Sequence, residues 1–185
     1  MPHPNILDPN HTALVVVDIQ EGFRAAIPDF GSIAQRSATV VRGFQLLALP
    51  VLVTEQYPKG LGHTAREITD VLSKTNEVFE KSAFSSCGAD GFVAKLDHFD
   101  IKQVVICGLE THVCVNQTAH DLIDRGFQVH ILTDCVCSRF DHNREAGLAK
   151  MLASGAVPSS VEMALFELMN DSKHDKFKEI QSLIK

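Results

Sequence analysis

Short apolar runs alternate with longer stretches of helical periodicity along the whole chain. ALVVVD (13–18) is continuous and β-branched, the pattern of a strand covered on both faces. Residues 32–49 carry Ile33, Val40, Phe44 and Leu47 at helical spacing, and Pro50 stops them. VLVTEQ (51–56) predicts a second strand, 64–74 a weak helix, and EVFEK (77–81) a third strand. Residues 88–99 predict a helix turning Phe92, Leu96 and Phe99 inward, and KQVVICGL (102–109) a fourth strand. Over 112–126, Val115, Ala119, Leu122 and Ile123 share one helical face, and Gly126 suits the C-terminal cap. A fifth strand (127–134), a helix (142–155), a short strand (156–160) and two helices (161–170 and 173–184) complete the pattern. The last helix sets Phe177, Ile180 and Ile184 on one side. The stretch over 82–90 is the most loop-like. This βαβα repetition predicts an α/β fold, a mostly parallel sheet with helices on both faces, in a single domain over 1–185.

Ligands of open α/β sheets bind beyond the carboxyl ends of the strands, where the strand order reverses. The strand ends nominate Asp18, Glu55 and Gln56, Lys81, the segment Gly108–Cys114, and Asp134 with Cys135 and Cys137. A free cysteine is most often packing. Cys114, however, stands at a helix mouth, where the partial positive charge lowers a thiol pKa and enriches the nucleophilic thiolate. The unpaired N–H groups of the same turn can hold a developing oxyanion. Asp18 reads either as a turn-forming residue or as a proton acceptor for the thiol. Lys81 reads either as a solvated strand end or as the counterion of Asp18. His112, two residues before Cys114, reads equally as a helix-surface histidine.

Charge and composition narrow the partners. The chain has 185 residues with 17 Lys and Arg, 23 Asp and Glu, and a net charge of -6. The basic residues are scattered, so neither nucleic acid nor an anionic membrane surface is an expected partner. No apolar run approaches the roughly 18 residues of a membrane helix, and the N-terminus lacks a signal-peptide pattern. The five cysteines include no CxxC spacing. Reduced thiols in the cytoplasm are therefore expected. Cys135 and Cys137 are expected to face apart and not to pair. No GxGxxG or Walker sequence follows the first strand, and no HExxH or paired Cys/His spacing occurs, so neither a cofactor nor a metal is expected.

ALVVVDIQEGF, VTEQYPKGLG, the lysine of VFEKSAFS and above all CGLETHVCVNQTAHDLIDRGFQVHILTD resemble the isochorismatase-like cysteine hydrolases, and closest the small isochorismatase domain-containing proteins. The likeness covers nearly the whole chain. It implies a three-layer α/β/α sandwich with sheet order 3-2-1-4-5-6, and a triad carried here by Asp18, Lys81 and Cys114. It also implies a cis peptide at Leu109–Glu110, aiming the Glu110 and Cys114 N–H groups at one point as an oxyanion hole. Nicotinamidases of that family carry an Asp-x-His metal pair after strand two; Gln56 and Pro58 stand at those places here, so no metal is expected. Phe23, Gln56, Tyr57, Phe84, Thr111 and His112 are the candidates for binding a small-molecule substrate, the aromatics doubling as core candidates. The resemblance implies a homo-oligomer and a metal-independent cysteine hydrolase of a small amide or related C–N bond. The alternatives are a non-catalytic binding or interaction protein of the same fold, and a redox thiol protein using Cys107 or Cys137 to resolve Cys114. One geometric demand stands out: Lys81 starts two strands from Asp18, about 10 Å at ordinary strand spacing.

Overall fold

The computed structural model describes residues 3–185. Six parallel strands form one sheet in the order β3-β2-β1-β4-β5-β6. They are β1 (Thr12–Val17), β2 (Val51–Gln56), β3 (Val78–Lys81), β4 (Gln103–Leu109), β5 (Gln128–Cys137) and β6 (Val157–Ser159). β1 and β4 are fully buried along their length, as their apolar runs require.

One face of the sheet is covered by α1 (Phe30–Leu46), α7 (Val161–Met169) and α8 (Phe177–Ile184). The other is covered by α4 (Phe92–His98), α5 (Asn116–Asp124) and α6 (Asp141–Ala153). Each face has its own apolar cluster. Phe30 and Phe44 of α1 pack with Val16, Cys107 and Leu165 on the first. Phe92, Leu96 and Leu122 pack with Val15, Ile106 and Ile131 on the second.

The element pattern follows the sequence reading, and the differences lie at boundaries. The weak helix expected over 64–74 is a single turn instead, α3 (Arg66–Thr69), and a further turn, α2 (Pro58–Leu61), forms in the preceding stretch that the sequence reads as loop. Gly62, at positive φ, separates them. The helix expected from residue 112 opens with a wide π-type turn, Thr111–Val115, before α5. β5 runs three residues further than expected, to Cys137, after a register shift against β4 between Ile106 and Gly108. Cys135 and Cys137 are therefore two apart on one strand. They share the α1 face rather than facing apart, and both are free thiols.

The strand order reverses between β1 and β4, and the residues after those strands line the resulting crevice. Gly108 makes this crevice narrow. At φ +135°, a Cβ on it would meet the Val17 carbonyl oxygen at 2.1 Å. Only glycine lets the end of β4 come this close to the backbone just before Asp18.

Candidate active site

Three strand ends meet at one buried ion pair. Asp18 follows β1 at φ 51°, a left-handed conformation that aspartate tolerates better than most side chains. Lys81 closes β3, and its Nζ lies 2.6 Å from Asp18 Oδ2, with both side chains fully buried. The two-strand gap is thus spanned by the lysine side chain. The ammonium is held from behind as well, by Gln56 Oε1 at 2.8 Å and by the carbonyls of Phe84 and Ala83 at 2.9 and 3.3 Å. The other carboxylate oxygen, Asp18 Oδ1, accepts the Thr54 hydroxyl at 2.7 Å. A carboxylate in so dry a place persists because both oxygens are bonded and one partner is a cation.

Cys114 sits in the π-type turn after β4, buried at 5% exposure. Gly147 of α6 lets that turn pack closely, since a Cβ there would lie 2.9 Å from the His112 Cα. The expected lowering of the thiol pKa is not found. Burial pushes it up to about 12; the Asp18 charge pushes the same way and the Lys81 charge opposes. The helix-mouth field is overridden because desolvation disfavours a thiolate and a carboxylate already supplies negative charge beside it. The resting pair is therefore a neutral thiol next to an ionised carboxylate.

Around this centre the Leu109–Glu110 peptide is cis. The Glu110 N–H has no acceptor among the described residues, whereas the Val113 and Val115 N–H groups are both spent on the Glu110 carbonyl. The Glu110 carboxylate turns toward the segment after β5, accepting from Arg139 Nε at 3.0 Å and from the Arg139 N–H at 3.1 Å.

The other nominated residues are placed unevenly. Gln56 has both ends of its amide in use, its oxygen on Lys81 and its nitrogen on the Ser82 carbonyl at 2.8 Å. Thr111 is fully buried with its hydroxyl unpartnered. His112 is half-buried, its Nδ1 3.0 Å from Ser138 Oγ. Tyr57 and Phe84 stand 59% and 52% exposed on the loops after β2 and β3. Phe23 is half-buried against the α1-side core. Cys107 and Cys137 belong to that same core, across the sheet from Cys114, and so cannot resolve it as a disulfide. The site also contains Thr54, Ser86, Thr118 and Arg139, which the sequence reading does not include. For Thr54 a signal existed, since it is a lone hydroxyl within the apolar run VLVTEQ. Ser86 and Thr118 carried none, because their pairing is set by the path of the loop after β3.

The isochorismatase domain family model matches residues 12–163. Isochorismatase domain-containing protein 1 of Salmo salar is 41% identical over 179 residues, covering 97% of this chain and 62% of that protein. The chain thus spans somewhat under two thirds of that relative. Isochorismatase family protein 1A of Dictyostelium discoideum is 38% identical over 180 residues, covering 96% of this chain and 87% of that one. A solved structure described as MAR1 ribonuclease from Caenorhabditis elegans superposes with a TM-score of 0.93 at 37% identity, covering 97% of this chain and 92% of that one. Sequence and sheet order agree, and the chain belongs to the isochorismatase domain family.

Proposed function

We propose that this protein is a metal-independent cysteine hydrolase that cleaves a small amide or related C–N bond through a covalent intermediate on Cys114. The observation that carries the reading is the fully buried Lys81–Asp18 pair set against the Cys114 thiol at the strand-order reversal. Asp18 takes the thiol proton as sulfur attacks the carbonyl carbon, so no free thiolate has to exist beforehand. Lys81 keeps Asp18 ionised and in place. The N–H groups of Glu110 and Cys114 receive the oxyanion. As the C–N bond breaks, Asp18 returns the proton to the departing nitrogen. Water then attacks the thioester, giving its proton to Asp18, and the thiol is restored.

No step passes through a metal. Pro58 offers no ligand atom, and the Gln56 amide oxygen already accepts from Lys81. Tyr57 and Phe84, exposed at the rim, fit either a substrate's apolar part or a second copy of the chain, and a homo-oligomer is part of this proposal. RNA is disfavoured as a substrate by the net charge of -6 and the scattered basic residues.

A panel of primary amides, N-carbamoyl compounds, esters and short RNA tests the reading. The expected result is turnover of a C–N substrate, lost in Cys114→Ala, with an acyl mass on the Cys114 peptide. Turnover that survives Cys114→Ala overturns the nucleophile. A panel without turnover or adduct favours the binding-protein alternative.

A further inference from the structure

The Asp18 carboxylate has a second support that the reaction scheme does not use. Its Oδ1 accepts from Thr54 Oγ1 at 2.7 Å. Thr54 Oγ1 in turn accepts from Ser86 Oγ at 3.5 Å, and Ser86 Oγ accepts from Thr118 Oγ1 at 3.1 Å. The far end is anchored by the Ser86 N–H, which donates to Thr118 Oγ1 at 2.8 Å. All three side chains are fully buried.

We infer that Thr54, Ser86 and Thr118 form a directed hydroxyl chain that positions Asp18 as the proton acceptor for Cys114. This rests on the hydrolase reading above, for which these three are positioning residues. Each hydroxyl has one proton, and along this chain every proton points toward Asp18. A hydroxyl that accepts a bond donates a stronger one, so Ser86 strengthens the bond that Thr54 makes. The bond to a carboxylate is also stronger than one to the neutral acid. The chain therefore fixes the orientation of the carboxylate that takes the proton.

The chain joins three separate elements. Thr54 is on β2 and Ser86 on the loop after β3. That loop also supplies the Ala83 and Phe84 carbonyls to Lys81, so it reaches both oxygens of Asp18, one through Lys81 and one through Thr54. Thr118 lies on α5, four residues after Cys114 and so about one turn along. Base and nucleophile thus share a buried polar link. Packing alone would be served equally by valine or alanine, with no hydroxyl to satisfy.

The test is the rate at which iodoacetamide alkylates Cys114 at pH 7, read on its own peptide by mass spectrometry. Thr54→Val is expected to slow it roughly tenfold, the worth of one hydrogen bond to a charged group. Ser86→Ala should slow it less, across the longer 3.5 Å step, and Thr118→Val least. Thr54→Ser and Thr118→Ser should restore the rate, and an Asp18→Asn background should erase all three effects. Wild-type rates in Ser86→Ala and Thr118→Val, or losses that persist in Asp18→Asn, overturn the chain. Thr54→Ser and Ser86→Ala keep the test decisive if Thr54→Val does not fold. A wild-type rate indifferent to Asp18→Asn overturns the proton-acceptor reading itself, a separate outcome.

Discussion

Cys107 and Cys114 are seven residues apart, and burial pushes both thiols to about 12. Cys107 feels the charge of Asp134 without a hydrogen bond to it, whereas Cys114 is hydrogen-bonded to Asp18 as well as in its field. Cys107 faces the α1 layer among apolar side chains, with the Ser37 hydroxyl as its nearest polar company. Cys114 faces a carboxylate and an ammonium that are themselves paired. Desolvation alone therefore does not single out a nucleophile. What separates the two thiols is a carboxylate in hydrogen-bonding contact, able to take the proton during attack.

The largest effect that could break this contrast is on turnover. Cys114→Ala should lower kcat by at least roughly a thousandfold, since nothing else in the crevice can form the covalent bond. Cys107→Ala should leave kcat within about twofold and cost only about 1 kcal/mol of stability, by cavity formation. Steady-state kinetics and denaturant melts on both variants decide it. Loss of activity in Cys107→Ala, with the fold intact, would erase the distinction.

Next comes the ion pair that Cys107 lacks. Lys81→Met leaves Asp18 buried without its cation, which should cost about 3–5 kcal/mol. Adding Asp18→Asn should recover much of that, because the charge left behind is the chief penalty. Urea denaturation of the two variants and the wild type measures both steps. A double variant no more stable than Lys81→Met would mean that packing, not charge, sets the cost.

The difference between the thiols was only partly legible in the sequence. The strand order, the crevice and the three converging residues followed from β-branched runs, helical periodicity and the resemblance, because those signals are local or carried in contiguous motifs. The state of the thiol did not follow. The helix-mouth field is visible in the sequence, but burial and the Asp18 charge, which override it, depend on the packed fold. The Gln56 amide reads from sequence as a substrate contact but is bonded to Lys81 and Ser82, which only the side-by-side register of β2 and β3 reveals. Ser86 and Thr118 are 32 residues apart and share no pattern that periodicity can detect.

In one respect the two thiols should behave alike, and pH exposes it. Each ionises near 9 when unfolded and near 12 when folded. Between those values the folded state holds more protons, so stability present below pH 9 is lost as pH rises toward 12. The slope is on the order of 1.4 kcal/mol per pH unit for each thiol. Thermal melts from pH 8.5 to 10.5 should show the decline, and Cys107→Ala and Cys114→Ala should each flatten it. An unchanged slope in either variant would show that its thiol is better hydrated than the buried position implies.

The smallest expected effect concerns an ion pair of the opposite kind to Lys81–Asp18. Arg24 bridges Glu21 at 2.7 Å and Glu67 at 2.8 Å on the surface, with about two fifths of the Arg24 and Glu21 side chains exposed. The Arg24 hydrogen bond pulls Glu21 down to about 2. Solvent screens such a network, so Arg24→Ala should cost at most about 1 kcal/mol, and less in high salt. Because the folded value is depressed, the contribution is present above pH 4.5 and is lost as pH falls toward 2. Acid denaturation with and without 1 M salt measures it: the wild type should lose its small advantage over Arg24→Ala across that window. The Lys81 variant should keep its full deficit in salt, since ions do not reach a pair with no exposed surface. Equal salt sensitivity at the two pairs would mean that water enters the crevice around Asp18, and that Cys114 is less shielded than its burial indicates.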